Sequence, residues 1–209
     1  MDFSTTASTL LRNLSNILRT PVMIVLLFLI ALVIVIVGSI IVEYFTEHRL
    51  LKADLPKLVD TIKLEEVPLR KVIIESGLLR RQKLALLELT KHSILDEDTL
   101  EALAGRLIYQ ERMHYQRILL VSEIVEKMGP VFGLLGTLIP LGPGIQALAN
   151  GDTATLSASM LTAFDTTVAG LIAAAVAFLV TIARKRWYSD YMSSLELVME
   201  AILGRSDLL

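Results

Sequence analysis

The chain is dominated by three long apolar runs separated by segments patterned for water. From Val22 to Val42 the sequence VMIVLLFLIALVIVIVGSIIV holds no charge. At a helical rise of about 1.5 Å per residue it reaches about 31 Å, the thickness of a bilayer hydrocarbon core. A cleaved leader would have a shorter apolar stretch and a small-residue cleavage site, but Glu43-Tyr44-Phe45 follows, so the run is read as a span. A second uncharged run extends from Met128 to Ala149, and a third from Thr153 to Ala183 is interrupted only by Asp165. Between them lies only Asn150-Gly151-Asp152, a connection so short that the two runs must be antiparallel neighbours. Ahead of the first span, Leu10, Leu11, Leu14, Ile17 and Leu18 recur at helical spacing. They fit an amphipathic helix on the membrane surface and equally a plain extension of the span.

The segment from Thr46 to Lys127 is charged and helical in pattern, with breaks expected near Pro56, near Pro68 and around Thr90 to Asp98. Pro68 suits a first helical position after Glu65 and Glu66, and Asp96 or Asp98 can cap a helix that continues through Leu100, Leu103 and Leu107. The expectation is a helical hairpin whose second arm runs unbroken into the second span. The tail from Trp187 to Arg205, with Leu195, Val198 and Ile202 on one face, should continue the third span. Trp187 and Tyr188 fit interfacial anchors, and packing against a helix outside the bilayer would look the same.

The fold class expected is an all-α integral membrane protein with three transmembrane helices and long cytoplasmic helical extensions. Its parts are an N-terminal amphipathic segment 1–20, transmembrane helix 1 at 21–45, a cytoplasmic helical domain 46–127, transmembrane helix 2 at 128–149, a short external turn 150–155, transmembrane helix 3 at 156–183, and a C-terminal helix 184–209. Arg184-Lys185-Arg186 follows the third span and the hairpin turn has no lysine or arginine, so the C-terminus is assigned to the cytoplasm and the turn to the outside. Three spans then put the N-terminus outside a cell (inner or plasma) membrane, with Arg12 and Arg19 as exceptions to the charge rule.

Composition agrees and narrows the chemistry. Apolar residues make up 54% of the chain, high for a water-soluble domain, and the net charge of -2 gives no reason to expect nucleic acid. With no cysteine, thiol nucleophiles, disulfides and cysteine-based zinc sites are excluded. His48, His92 and His114 include no pair at the four-residue spacing of a helical metal site. No nucleophile–base pair or nucleotide loop appears, so neither an enzyme nor a cofactor is expected.

One stretch, MGPVFGLLGTLIPLGPG from Met128 to Gly144, has the glycines of a phosphate loop but neither the lysine nor the hydroxyl that should follow the last glycine. Gly129, Gly133 and Gly136 instead recur at helical spacing, and Gly129-x-x-x-Gly133 is a pattern that lets membrane helices meet backbone to backbone. The third run matches it. Ala163, Thr167, Gly170, Ala174 and Ala177 form one stripe of small side chains. Pro140 and Pro143 are expected to kink the second span near its outer end. The hydroxyls of Thr137 and Thr167 either bond their own backbone or line a polar path. Asp165 stands alone as the acid inside a span, where an ionised carboxylate costs at least about 2.5–3.5 kcal/mol. It is expected either to face a cavity or partner and bind a proton or sodium ion, or to be hydrogen-bonded to Thr162 or a neighbouring helix near the outer surface. On an ideal helix it is about 200° from Thr167, so the two cannot both face one pore squarely.

Gly133-Leu134-Leu135-Gly136-Thr137 and Ala163-Phe164-Asp165-Thr166-Thr167-Val168-Ala169-Gly170-Leu171 resemble the paired signatures of the MotA/TolQ/ExbB proton channel family. There a G-x-x-G-T pattern marks one span, and a threonine followed three residues later by glycine marks the next. The likeness is sharp from Gly129 to Lys185 and architectural elsewhere, and three spans resemble the ExbB/TolQ branch. The resemblance implies a stator or ion-channel subunit of an ion-motive-force-driven energy-transducing complex. It further implies a homo-oligomeric ring, a pentamer, around a dimer of a single-span ExbD/TolR-like partner, with Thr137 and Thr167 lining a path for H⁺ or Na⁺. The family's glutamate five residues before the third-span threonine is replaced here by Thr162. Asp165, one turn deeper and about 60° around, is placed in the candidate path with Thr162 and Thr166. The competing reading is a non-conducting oligomeric scaffold that recruits cytoplasmic partners.

Overall fold

A computed structural model describes residues 3–48, 54–63, 68–92 and 96–205. Among them every regular element is helical: α1 (Phe3–Glu43) with a π-helical turn (Tyr44–His48) at its end, α2 (Leu55–Lys63), α3 (Leu69–Glu75), α4 (Arg80–Lys91), α5 (Glu97–Ala149) and α6 (Thr153–Leu203). Three of these helices are long and apolar enough to cross a bilayer. The chain divides into two compact units, Met1–Gly38 with Leu120–Thr181, and Ser39–Leu119 with Ile182–Leu209.

In the first unit, α1 buries Val22, Leu26, Leu29, Val33 and Ile36, alternate steps of four and three that put one stripe inward. The opposite face, with Ile24, Leu27, Phe28, Ile34 and Val35, is exposed. Leu10, Leu14, Ile17 and Leu18 are exposed too, and α1 runs through them and Pro21 without a break, as an extension of the span. α5 and α6 are antiparallel partners. Their connection is tighter than 150–155: α5 ends at Ala149, Gly151 takes a φ of +80° that suits a residue without Cβ, and α6 begins at Thr153. The boundary falls there because Asp152 caps α6, its carboxylate accepting from the Thr155 N–H and hydroxyl. These bonds hold the Asp152 carboxyl below its ordinary range.

The second unit has a core of large side chains, among them Ile62, Ile73, Leu86, Leu100, Leu195 and Ile202, each almost fully buried. Burying one such residue contributes about 1.5–3 kcal/mol. A hairpin does not describe it. Ser76 to Leu79 leave the helix between α3 and α4, with Leu78 and Leu79 turned into the core, so α2, α3 and α4 are three short helices packed beside the long ones. Buried Gln82 fixes this corner: its carbonyl oxygen accepts from the Leu79 N–H and its amide donates to the Tyr191 carbonyl of α6. Pro56 lies within the first turn of α2, and Pro68 precedes α3 by one position. Glu65 and Glu66 lie outside the described residues. Asp96 is the α5 cap, accepting from the Thr99 N–H, and Asp98 sits inside the helix. Tyr188 is buried with its ring 4.5 Å from Tyr115, and Trp187 lies 6.0 Å from Tyr44, so both pack within this unit.

A candidate ion-path seam between two small-residue helices

The approach of α5 to α6 in the first unit is closest where side chains are missing. A Cβ added to Gly170 would stand 2.5 Å from the Gly129 carbonyl oxygen and 2.9 Å from the Gly133 Cα. One added to Gly129 would meet the Gly170 carbonyl oxygen at 2.7 Å. Gly133 faces the carbonyls of Thr166 and Thr167, and Gly136 abuts the Thr166 side chain. Ala163, Ala174 and Ala177 are buried along the same stripe of α6. In lipid, where apolar side chains gain nothing by leaving an apolar solvent, such backbone contact supplies dense packing instead. Pro130, Pro140 and Pro143 are all carried within α5 as one continuous helix.

The hydroxyls divide at this seam. Thr166 is buried and donates to the carbonyl oxygens of Thr162 and Ala163. Thr137 donates to Leu134 O at 2.7 Å and Thr162 to Ala158 O at 3.0 Å, each within its own helix. Thr167 alone of the four reaches across, its hydroxyl 3.5 Å from the Gly133 carbonyl oxygen of α5. Thr137 and Thr167 are half-buried at the rim of the seam. A threonine that donates to a carbonyl keeps its oxygen lone pairs, so each can still accept from water or contact a cation. Asp165 is exposed on α6 beside exposed Leu161, Phe164 and Val168, and among the described residues its carboxylate has no hydrogen-bond or ion-pair partner. Thr162 does not hold it, because the Thr162 hydroxyl is already committed to Ala158 O. On the neighbouring face, Arg19, Val22 and Met23 of α1 line a small cleft with Gly136, Ile139, Pro140 and Thr162.

Further polar contacts extend the pattern beyond the residues singled out from sequence. Thr181, four residues past Ala177, is buried and hydrogen-bonded to buried Ser122 of α5 at 2.9 Å. Gly144 packs on Ser159. In the second unit, Arg184 is 5% exposed, donates to Glu43 at 3.0 Å and reaches the Ser39 hydroxyl at 2.7 Å. The step of four then three along α6 would have pointed to Thr181 and Arg184, but their partners lie too far away in sequence to be read. No group of three metal-ligating side chains occurs among the described residues. His92 bonds the Glu88 carbonyl and His114 lies edge-on to Tyr115. The side chain of His48 lies outside the described residues.

Comparison with protein families gives one match: the MotA/TolQ/ExbB proton channel family, over residues 73–197, more than half of the chain. The matched stretch takes in α4, all of α5 and most of α6, well beyond the two signatures. Among curated proteins no match is found.

Proposed function

The chain belongs to the MotA/TolQ/ExbB proton channel family, and from that premise we propose that it is the multi-span stator subunit of an ion-driven energy transducer. It is a multi-pass membrane protein of a channel class, not of an enzyme class. In the proposed assembly five copies ring a dimer of single-span, ExbD/TolR-like helices, the C-terminus is cytoplasmic and the N-terminus outside. H⁺ or Na⁺ crosses at the rim of the α5–α6 seam, past Thr137 and Thr167, and the central helices move as it does. Each ion delivers about 2.3 kcal/mol per 100 mV, so a few ions suffice to remodel an interface of moderate size.

The observation that carries this reading is Asp165, exposed and without a hydrogen-bond or ion-pair partner among the described residues, on a stretch of α6 where Leu161, Phe164 and Val168 are exposed beside it. A carboxylate there is unfavourable against lipid and favourable against a hydrated path or a second protein. Thr137 and Thr167, whose hydroxyl oxygens remain able to accept, lie on the same two helices. The backbone bonds of Thr137, Thr162 and Thr166 are what a plain scaffold would also have. Liposomes containing the chain with its single-span partner separate the two readings. A stator loses partner-dependent ion flux in Asp165→Asn and in Thr137→Val with Thr167→Val, while remaining assembled. Unchanged flux in all of these variants removes Asp165, Thr137 and Thr167 from the path, and a parent chain that assembles with its partner but passes no ions returns the chain to a scaffold.

A further inference from the structure

Away from the seam, in the second unit, Arg106, Gln110 and Arg117 of α5 lie within about 40° of one another around the helix. With Arg81 of α4, Tyr109 and His114 they line a cleft of about 390 Å³, within the size range of small-ligand sites. Arg81 is fixed there by Glu111, whose carboxylate accepts from its Nε at 2.9 Å and its Nη2 at 3.0 Å. Arg106 and Arg117 are exposed and have no ion-pair partner among the described residues. Tyr109, between them along the helix, is 55% exposed. The side chains of arginine, tyrosine, glutamine and histidine that line the cleft can all donate hydrogen bonds, and no carboxylate lines it among the described residues.

The fold itself gains nothing from this arrangement. Arg106 and Arg117 are neither buried nor at a helix end, and gathering like charges about one cleft raises its positive potential. Glu111 offsets Arg81, and Arg106 and Arg117 are left uncompensated. His114 registers the resulting field. Desolvation, followed by the charge of Arg81, lowers its pKa, Arg117 adds to the fall and Glu111 acts the other way. The donor set then selects among anions. A guanidinium fits carboxylate and phosphate alike, but here Arg106 and Arg117 stand about 16 Å apart along α5, with Tyr109, Gln110 and His114 between them. Donors spread over that length outnumber the two oxygens of a carboxylate and match the many oxygens of phosphates in succession.

We propose that this cleft binds phosphate groups, with Arg106 and Arg117 gripping the phosphate oxygens, Arg81 held in place by Glu111, and Tyr109 and Gln110 donating between them. The phosphates are either the linked groups of a free polyphosphate compound or those of neighbouring anionic lipid headgroups. The site needs neither the ring nor the single-span partner, and it stands whether or not the chain conducts ions.

The probe is inorganic tripolyphosphate, titrated calorimetrically into the full chain in nanodiscs of phosphatidylcholine, in buffer free of phosphate and divalent cations. The parent chain is expected to bind it, and Arg106→Gln combined with Arg117→Gln to bind at least about tenfold more weakly. Arg70→Gln combined with Lys71→Gln removes the same charge from exposed positions that do not line the cleft and should bind as the parent does. All four replaced side chains are exposed, so unfolding midpoints without the probe should match the parent's. A parent that does not bind, or two double variants weakened alike, overturns the site, the second result because net charge alone then accounts for binding. The titrations are repeated in nanodiscs that also contain phosphatidylglycerol. Loss there of the parent's advantage over the Arg106 and Arg117 double variant assigns the cleft to headgroup phosphates, and its persistence assigns the cleft to a free polyphosphate.

Discussion

The same two helices, α5 and α6, pair by two different chemistries. Between Gly129 and Gly144 on α5 they meet where side chains are absent, glycine against glycine and threonine. From Leu100 to Tyr115 on the one and from Tyr188 to Ile202 on the other, they bury some of the largest side chains in the protein. Lipid and water explain the contrast. Water rewards removal of every leucine and tyrosine from its surface, so the second unit gathers them. Lipid tails give no such reward, and helices there hold one another by close approach and by hydrogen bonds, which large residues would prevent. A change in side-chain size should therefore act with opposite sign in the two regions.

The largest effect is expected where charge is buried. Arg184→Ala removes the guanidinium that faces Glu43 and Ser39 and leaves a carboxylate only 13% exposed without its counter-charge. Loss of one partner of such a pair costs about 3 kcal/mol or more. The expected outcome is a clear drop in the midpoint of thermal unfolding in detergent, largely restored by combining Arg184→Met with Glu43→Leu. A variant with Arg184→Ala alone that melts like the parent would show the pair to be solvated.

Size is tested next, by a matched pair of substitutions. Leu195→Ala, at a position 1% exposed, should cost about 2–4 kcal/mol, transfer energy and residual cavity together. Gly170→Ala enlarges a site where the new Cβ falls within 3 Å of backbone atoms that cannot rotate away, and should cost about 1–3 kcal/mol. Gly142→Ala, with open space around the added carbon, is the control and should be neutral or slightly stabilising. Unfolding midpoints of the three variants decide the matter. If Gly170→Ala is as harmless as Gly142→Ala, the seam is looser than its geometry and the contrast between the two regions fails.

Why one region was readable and the other was not follows from the same physics. The spans declare themselves by an absence of charge from Val22 to Val42 and from Met128 to Ala149, and the seam by an absence of side chains at Gly129, Gly133 and Gly170. Absences need no partner to be recognised. Asp96, as a cap, needs only its own helix. The break at Ser76 to Leu79 was hidden because Leu78 and Leu79 continue an apolar helical pattern, and only the core they enter turns them out of a helix. Tyr188 reads as a membrane anchor until Tyr115 is seen stacked on it. Ser122 with Thr181, and Arg184 with Glu43, depend on the register between helices distant in sequence. Asp165 was visible at once, but among the described residues it has no hydrogen-bond or ion-pair partner from which a role could be read.

The smallest expected effect is one of pH, and it belongs to the second unit alone. His114 lies half-buried on α5, and desolvation, followed by the nearby positive charges of Arg81 and Arg117, lowers its pKa from the ordinary 6.5, with Glu111 acting the other way. The unfolded chain then takes up the proton more readily than the folded one. The contribution of His114 is fully present above about pH 6.5 and is lost as pH falls through the folded value. Carboxylates such as Asp96 and Glu88, held low by Thr99 and Lys91, lose their contribution only further into acid, so the histidine acts first. His114→Gln should flatten the fall in unfolding midpoint just below about pH 6.5 and leave the later acid loss unchanged. The described residues that meet at Gly129, Gly133 and Gly170 include no titratable side chain, so Gly170→Ala should shift the curve without changing its slope there. Equal slopes for the parent and His114→Gln would mean that the imidazole is as readily protonated in the fold as in water.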